Sequence, residues 1–145
     1  MDERLAPIER LREKIGSYPE LRFEEGVEDG QRWLRIEATD EGGFPITLSD
    51  EVDEWTVYYG DGGGHLHFDE GQEALEYVAF GLSEECRLVE TWRGDLLQKS
   101  KLERWDGEKW RALSVYGVFR WPFWRTKRVV VRQNRFIKAE SVPRS

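Results

Sequence analysis

Strand-like runs follow one another in this chain with few helices between them, and that succession most limits its fold. "ELRFEE", "RWLRIEA", "FPITLSD", "EWTVYYG" and "HLHF" come in order between Glu20 and Phe68. "CRLVETWRG", "LLQKSKLERWDGEKWRALSVYG" and "KRVVVRQNRF" do the same between Cys86 and Phe136. Each is rich in β-branched or aromatic residues or alternates apolar with polar, the mark of a strand. Asp29-Gly30 in "GVEDGQ" and Asp106-Gly107 in "WDGEKW" supply hairpin turns. A parallel arrangement needs a crossover helix between most strands. Only two stretches carry a helical period. Ile8, Leu11 and Ile15 draw an apolar stripe from Pro7 to Ile15, which Gly16 and Pro19 end. Ala74, Leu75, Val78, Ala79 and Leu82 draw a wider one within residues 70–82. Asp69 stands where an N-cap belongs, and Gln72 completes a capping box. The order predicts an α+β fold, a largely antiparallel twisted sheet with two helices packed on one face.

A length of 145 residues fits one domain, residues 1–145, with a core that needs no staples. Seven Trp, seven Phe and five Tyr argue against disorder. The one cysteine, Cys86, excludes an intramolecular disulfide and a thiolate zinc site. It follows a predicted helix C-terminus and reads as a small buried apolar residue. The N-terminal "MDERLAPIERLREK" has no apolar signal core, and no run of about 20 apolar residues follows. The expectation is a soluble, cytoplasmic protein with no membrane partner.

Charge is divided along the chain. Residues 1–86 hold 7 Lys and Arg against 23 Asp and Glu, a net of −16. Residues 87–145 hold 15 against 6, a net of +9, and the two add to the total of −7. One reading sets the halves side by side in a single sheet, where opposite charges neutralise across strands. The other is a basic face that meets an acidic partner.

Both histidines of the chain lie in "GDGGGHLHFDEG". On an extended backbone His65 and His67 share one face, while Leu66 and Phe68 share the core face. Two imidazoles so placed can reach one divalent metal such as zinc. A catalytic zinc site takes three protein ligands. Asp69 and Asp61 lie close in sequence, but Asp69 is assigned to the helix cap. Glu37, Asp53 and Glu54 are further candidates that spacing does not rank. The glycines before His65 read either as a hairpin turn or as an anion-binding nest; no Gly-Lys-Ser/Thr follows them, and the next element is a strand.

"VFRWPFWRTKR" interleaves aromatics with cations: Arg120, Trp121, Phe123, Trp124 and Arg125 form a candidate binding surface. Trp and Arg anchor protein interfaces. The same mixture suits single-stranded nucleic acid, but a pI near 5.0 weighs against that partner. Ser83 and Cys86 stand in no nucleophile motif.

Two functions follow, and the sequence does not decide whether the chain is an enzyme. The first is a non-catalytic protein-interaction domain, with no cofactor and a protein partner or a second copy as its ligand. The alternative is a small metal-dependent hydrolase with His65 and His67 as ligands.

Overall fold

The first helical stripe is buried as its spacing demands. A computed structural model, describing residues 7–51, 53–117, 125–139 and 142, places helix α1 at Pro7–Gly16, with Ile8, Leu11 and Ile15 in the core. Strands β1 (Phe23–Glu28) and β2 (Gln31–Ile36) pair antiparallel. Asp29 and Gly30 between them both take positive φ, 53° and 79°, as a tight two-residue hairpin turn requires. Strands β3 (Ile46–Glu51), β4 (Glu54–Tyr59) and β5 (His65–Phe68) extend the sheet in sequence order, every pair antiparallel.

Alternation gives this five-stranded sheet two different faces. Leu34, Ile36, Ile46, Leu48, Val57, Tyr59 and Phe68 are buried beneath α1 and helix α2, Gly71–Gly81. The opposite face carries Trp33, Thr47, Ser49, Thr56, Tyr58, His65 and His67, which lie in register across β2 to β5.

Helix α2 departs from expectation at its start. Glu70, not Asp69, is the N-cap: its backbone is extended, its side chain caps nothing, and Ala74 N–H closes the first turn on its carbonyl. Gly71 opens the helix because Pro7 of α1 packs against it; a Cβ there would lie 2.3 Å from Pro7 Cγ. The buried face is also rotated. Ala74, Val78 and Leu82 are inside as expected, but Phe80 replaces Ala79, which is exposed, and Leu75 is half-buried.

Strands β6 (Cys86–Arg93), β7 (Leu96–Trp105), β8 (Trp110–Gly117) and β9 (Lys127–Arg132) form a second antiparallel sheet, in the order β8-β7-β6-β9. Asp106 shapes the β7–β8 turn. Its carboxylate accepts from the N–H groups of Lys109 and Glu108 and pairs with Arg111, which together hold its pKa down to about 2.

The fold is therefore α+β with every strand pair antiparallel, as the strand succession predicts, and with its strands divided between two sheets. That division corrects the reading of the charge halves. They do not share a sheet: the acidic half builds the five strands and both helices, and the basic half builds the four. The pairs Arg12–Glu25, Arg32–Glu9, Arg35–Asp61, Arg87–Glu103, Lys101–Glu103 and Arg132–Glu90 each join residues of the same half.

The sheets meet at the glycine run. Gly60, Gly62 and Gly63 lie so close to the second sheet that an added Cβ would stand 2.7 Å from Leu88, 2.3 Å from Leu97 and 2.9 Å from the Tyr116 ring. The run is the β4–β5 hairpin, closed by Tyr59 N–H on the Gly64 carbonyl, and its missing side chains let the second sheet approach.

The segment predicted to continue as strand through Phe136 ends at Arg132. Asn134 turns inward there and is fully buried. Its amide donates to the carbonyls of Phe44 and Gly81, and its oxygen accepts from the N–H groups of Phe44 and Thr39. Cys86 is fully buried, and burial pushes its thiol pKa well up. No helix among the described residues is long and apolar enough to cross a membrane.

Candidate functional site

Register brings the histidines to the polar face of the first sheet. His67 lies opposite Thr56, and His65 opposite Tyr58. Leu66 and Phe68 point the other way, into the core. The two rings meet edge to face, 4.7 Å between centroids, and His65 also neighbours the rings of Tyr58 and Tyr116.

Their surroundings differ. Glu51 and Glu54 form the closing pair of β3 and β4, directly opposed across the ladder. Glu54 Oε1 is 2.8 Å from His67 Nδ1, and the buried Thr56 hydroxyl is 3.0 Å from the same nitrogen. Thr56 donates its single proton to Glu51 at 2.8 Å, so its oxygen accepts from His67, and the ring proton sits on Nδ1. Tyr58 donates to the other Glu51 oxygen at 2.7 Å. Burial and then the bond to Glu51 push the Tyr58 pKa up to about 12. The phenol therefore stays a donor. His65 stands outside this network: its Nδ1 is 2.7 Å from the Gly63 carbonyl, which only accepts.

Donor atoms of Glu51, Glu54 and His67 all lie within 4.8 Å of one another. Among the carboxylates that the sequence offered as a third ligand, Glu54 alone belongs to this group. Glu37 and Asp61 pair with Arg35 instead. Asp69, free of the cap, is not in the group either, and neither is Asp53. Glu51 was missed. Its signal was the two-residue interval before Glu54, which places both carboxylates face to face at a hairpin end. Beside Glu51 the sheet surface opens into a cavity of about 360 Å³ walled by Trp33 and Tyr58 over Thr47 and Ser49.

Of the aromatic-basic stretch, Arg120, Trp121, Phe123 and Trp124 lie outside the described residues. Arg125 is exposed, and its side chain packs over Gly94 at the β6–β7 turn. The described surface continues onto the outer face of the second sheet. One row across all four strands reads Val131, Val89, Lys101, Val115, and the next reads Val129, Thr91, Lys99, Gly117. Val115, Val129 and Val131 are 57%, 54% and 53% exposed. Arg87 and Lys101 flank the buried carboxylate of Glu103, and Arg87 stacks on Trp110 at 4.3 Å. Neither helix packs on this face. In comparisons with known protein families, curated proteins and solved structures, the chain matches none.

Proposed function

We propose that the protein is a non-catalytic interaction domain whose outer face on the four-stranded sheet binds an acidic protein segment. One observation carries the reading: three valines more than half exposed stand in rows with Lys99 and Lys101 across a sheet face on which neither helix packs. Single exposed apolar residues need no explanation, but a contiguous patch marks an interaction site. Within these strands the face carries Arg87, Lys99, Lys101 and Lys127 against Glu103, so a partner that complements it is negative. The same chemistry separates protein from nucleic acid. Stacking a base needs an open aromatic face, and here the exposed groups are valines, while Arg87 covers Trp110.

The test titrates the full chain with a peptide alternating glutamate and leucine and follows valine methyl resonances. Val115, Val129 and Val131 should shift together, and affinity should fall as salt rises. Lys101→Glu with Val129→Glu should weaken binding at least tenfold while the amide spectrum keeps its dispersion. Unmoved methyls, or equal binding by the double variant, would overturn the reading. Tighter binding of a single-stranded oligonucleotide through the same residues would replace the protein partner. Concentration-dependent sedimentation abolished by Val129→Glu would make the partner a second copy.

A further inference from the structure

We propose that Glu51, Glu54 and His67 form a binding site for a divalent transition metal of the zinc and manganese class. The site lies on the other sheet from the basic face and is independent of it. Three successive strands supply one donor each: β3 Glu51, β4 Glu54 and β5 His67, with donor atoms within 4.8 Å of one another. Two ligands of one tetrahedral ion, each about 2.0–2.2 Å from it, stand roughly 3.3–3.6 Å apart. The donor atoms of this group, all within 4.8 Å of one another, already stand near that spacing.

A separate observation calls for a cation here. Like charges directly opposite on neighbouring strands destabilise a sheet, and Glu51 and Glu54 are such a pair. Among the described residues neither forms an ion pair with lysine or arginine. Thr56 and Tyr58 aim the Glu51 oxygens without neutralising them, and neutral hydroxyls are the orienting partners that ligating carboxylates elsewhere keep. Among the described residues His67 is the one basic side chain paired with them, and it carries at most a single charge.

The donor set selects the ion. An imidazole nitrogen with two carboxylates suits zinc, manganese or ferrous iron, whereas calcium and magnesium take oxygen ligands throughout. Three protein ligands, with His67 and Glu54 partly open to solvent, leave a coordination position for water or another small donor. His65 is not a member. None of its atoms belongs to the group of donors, and the carboxylates converge on its neighbour.

The experiment uses the untagged full chain after dialysis against a chelator. Calorimetric titration with Zn²⁺ and Mn²⁺ should give one site per chain, and Co²⁺ should give visible absorption bands of a low-coordinate centre. Glu51→Gln, Glu54→Gln and His67→Ala should each weaken Zn²⁺ at least tenfold and remove the Zn²⁺-dependent rise in melting temperature. His65→Ala should leave affinity within about threefold. All four positions are on the solvent side of the sheet, and circular dichroism would confirm that the variants fold. Absence of Zn²⁺ binding, or binding indifferent to Glu51→Gln and Glu54→Gln, would overturn the site. Loss on His65→Ala alone would move the ion to the histidine pair. Calcium binding as tightly as zinc would reduce the site to unspecific charge attraction and sink the metal class.

Discussion

Asn134 shows how much one side chain can hold. It is fully buried, and its amide bonds backbone groups from three places, Thr39 and Phe44 before β3 and Gly81 at the end of α2, as well as the Thr39 hydroxyl. Truncation would strand the Phe44 N–H and two carbonyls in the interior, each costing on the order of 1–3 kcal/mol if nothing replaces the bond. Asn134→Ala should therefore lose about 3 kcal/mol, since partial relaxation keeps most single changes below 4–5 kcal/mol. For a chain of this size that is a melting-point drop of roughly 6–12 °C. Asn134→Asp should be no better, because it keeps the acceptor, loses the donor and buries a charge. A thermal melt within about 2 °C of wild type for either variant would show that the lock is not needed. Nothing in "RQNRF" announces this role. A polar residue after a valine run reads as a strand end exposed to water, and only the tertiary path of the chain makes it a core residue.

At the scale of elements, what could be read depended on whether the cause was local. Hairpin turns at Asp29-Gly30 and Asp106-Gly107, the stripe of α1 and the alternation of β5 follow from neighbouring residues, and the structure contains each of them. The start of α2 did not follow, because Pro7, more than sixty positions away, takes the space beside Gly71. Glu51 escaped notice for a similar reason: its approach to His67 runs through two strand pairings. The glycine run shows both sides. Its hairpin role was legible, but the reason for so many glycines lies in the other sheet. Gly63 has φ of 88° and the Tyr116 ring 2.9 Å from where a Cβ would be, whereas Gly30 has φ of 79° and open space. Alanine at either position takes the left-handed strain, about 1–2 kcal/mol. Only at Gly63 must an aromatic ring also move, adding on the order of 1 kcal/mol or more. Denaturant unfolding of Gly63→Ala against Gly30→Ala reads the difference directly. Equal losses would mean that Tyr116 yields freely and that the sheets do not depend on this close approach.

For the whole molecule the decision is between charge and apolar contact as the force that joins the sheets. Coulomb attraction between a half of −16 and a half of +9 looks sufficient from composition. The structure sends the charges elsewhere: among the described residues the ion pairs seen close within each half, and Leu88, Leu97 and Tyr116 face glycine backbone where the sheets meet. Exposed charges are screened over about 10 Å at 0.1 M salt, while burial of Leu88 in the core is indifferent to salt at moderate concentration. Two results should then separate. Raising sodium chloride from 50 to 500 mM should change unfolding free energy by less than about 1 kcal/mol, the range of surface ion pairs. Leu88→Ala, which leaves a cavity under Gly60, should cost about 2–5 kcal/mol, and both sheets should still unfold in one transition because they share that core. If salt instead separated the transitions of the two sheets while Leu88→Ala did little, attraction between the halves would be the joint. The unspent charge has another consequence in the apolar case. Because the ion pairs seen among the described residues leave Lys99 without a carboxylate from the acidic half, the field over Lys99 and Lys101 stays available to draw in a negative partner, and the valines between them give that partner something to bury.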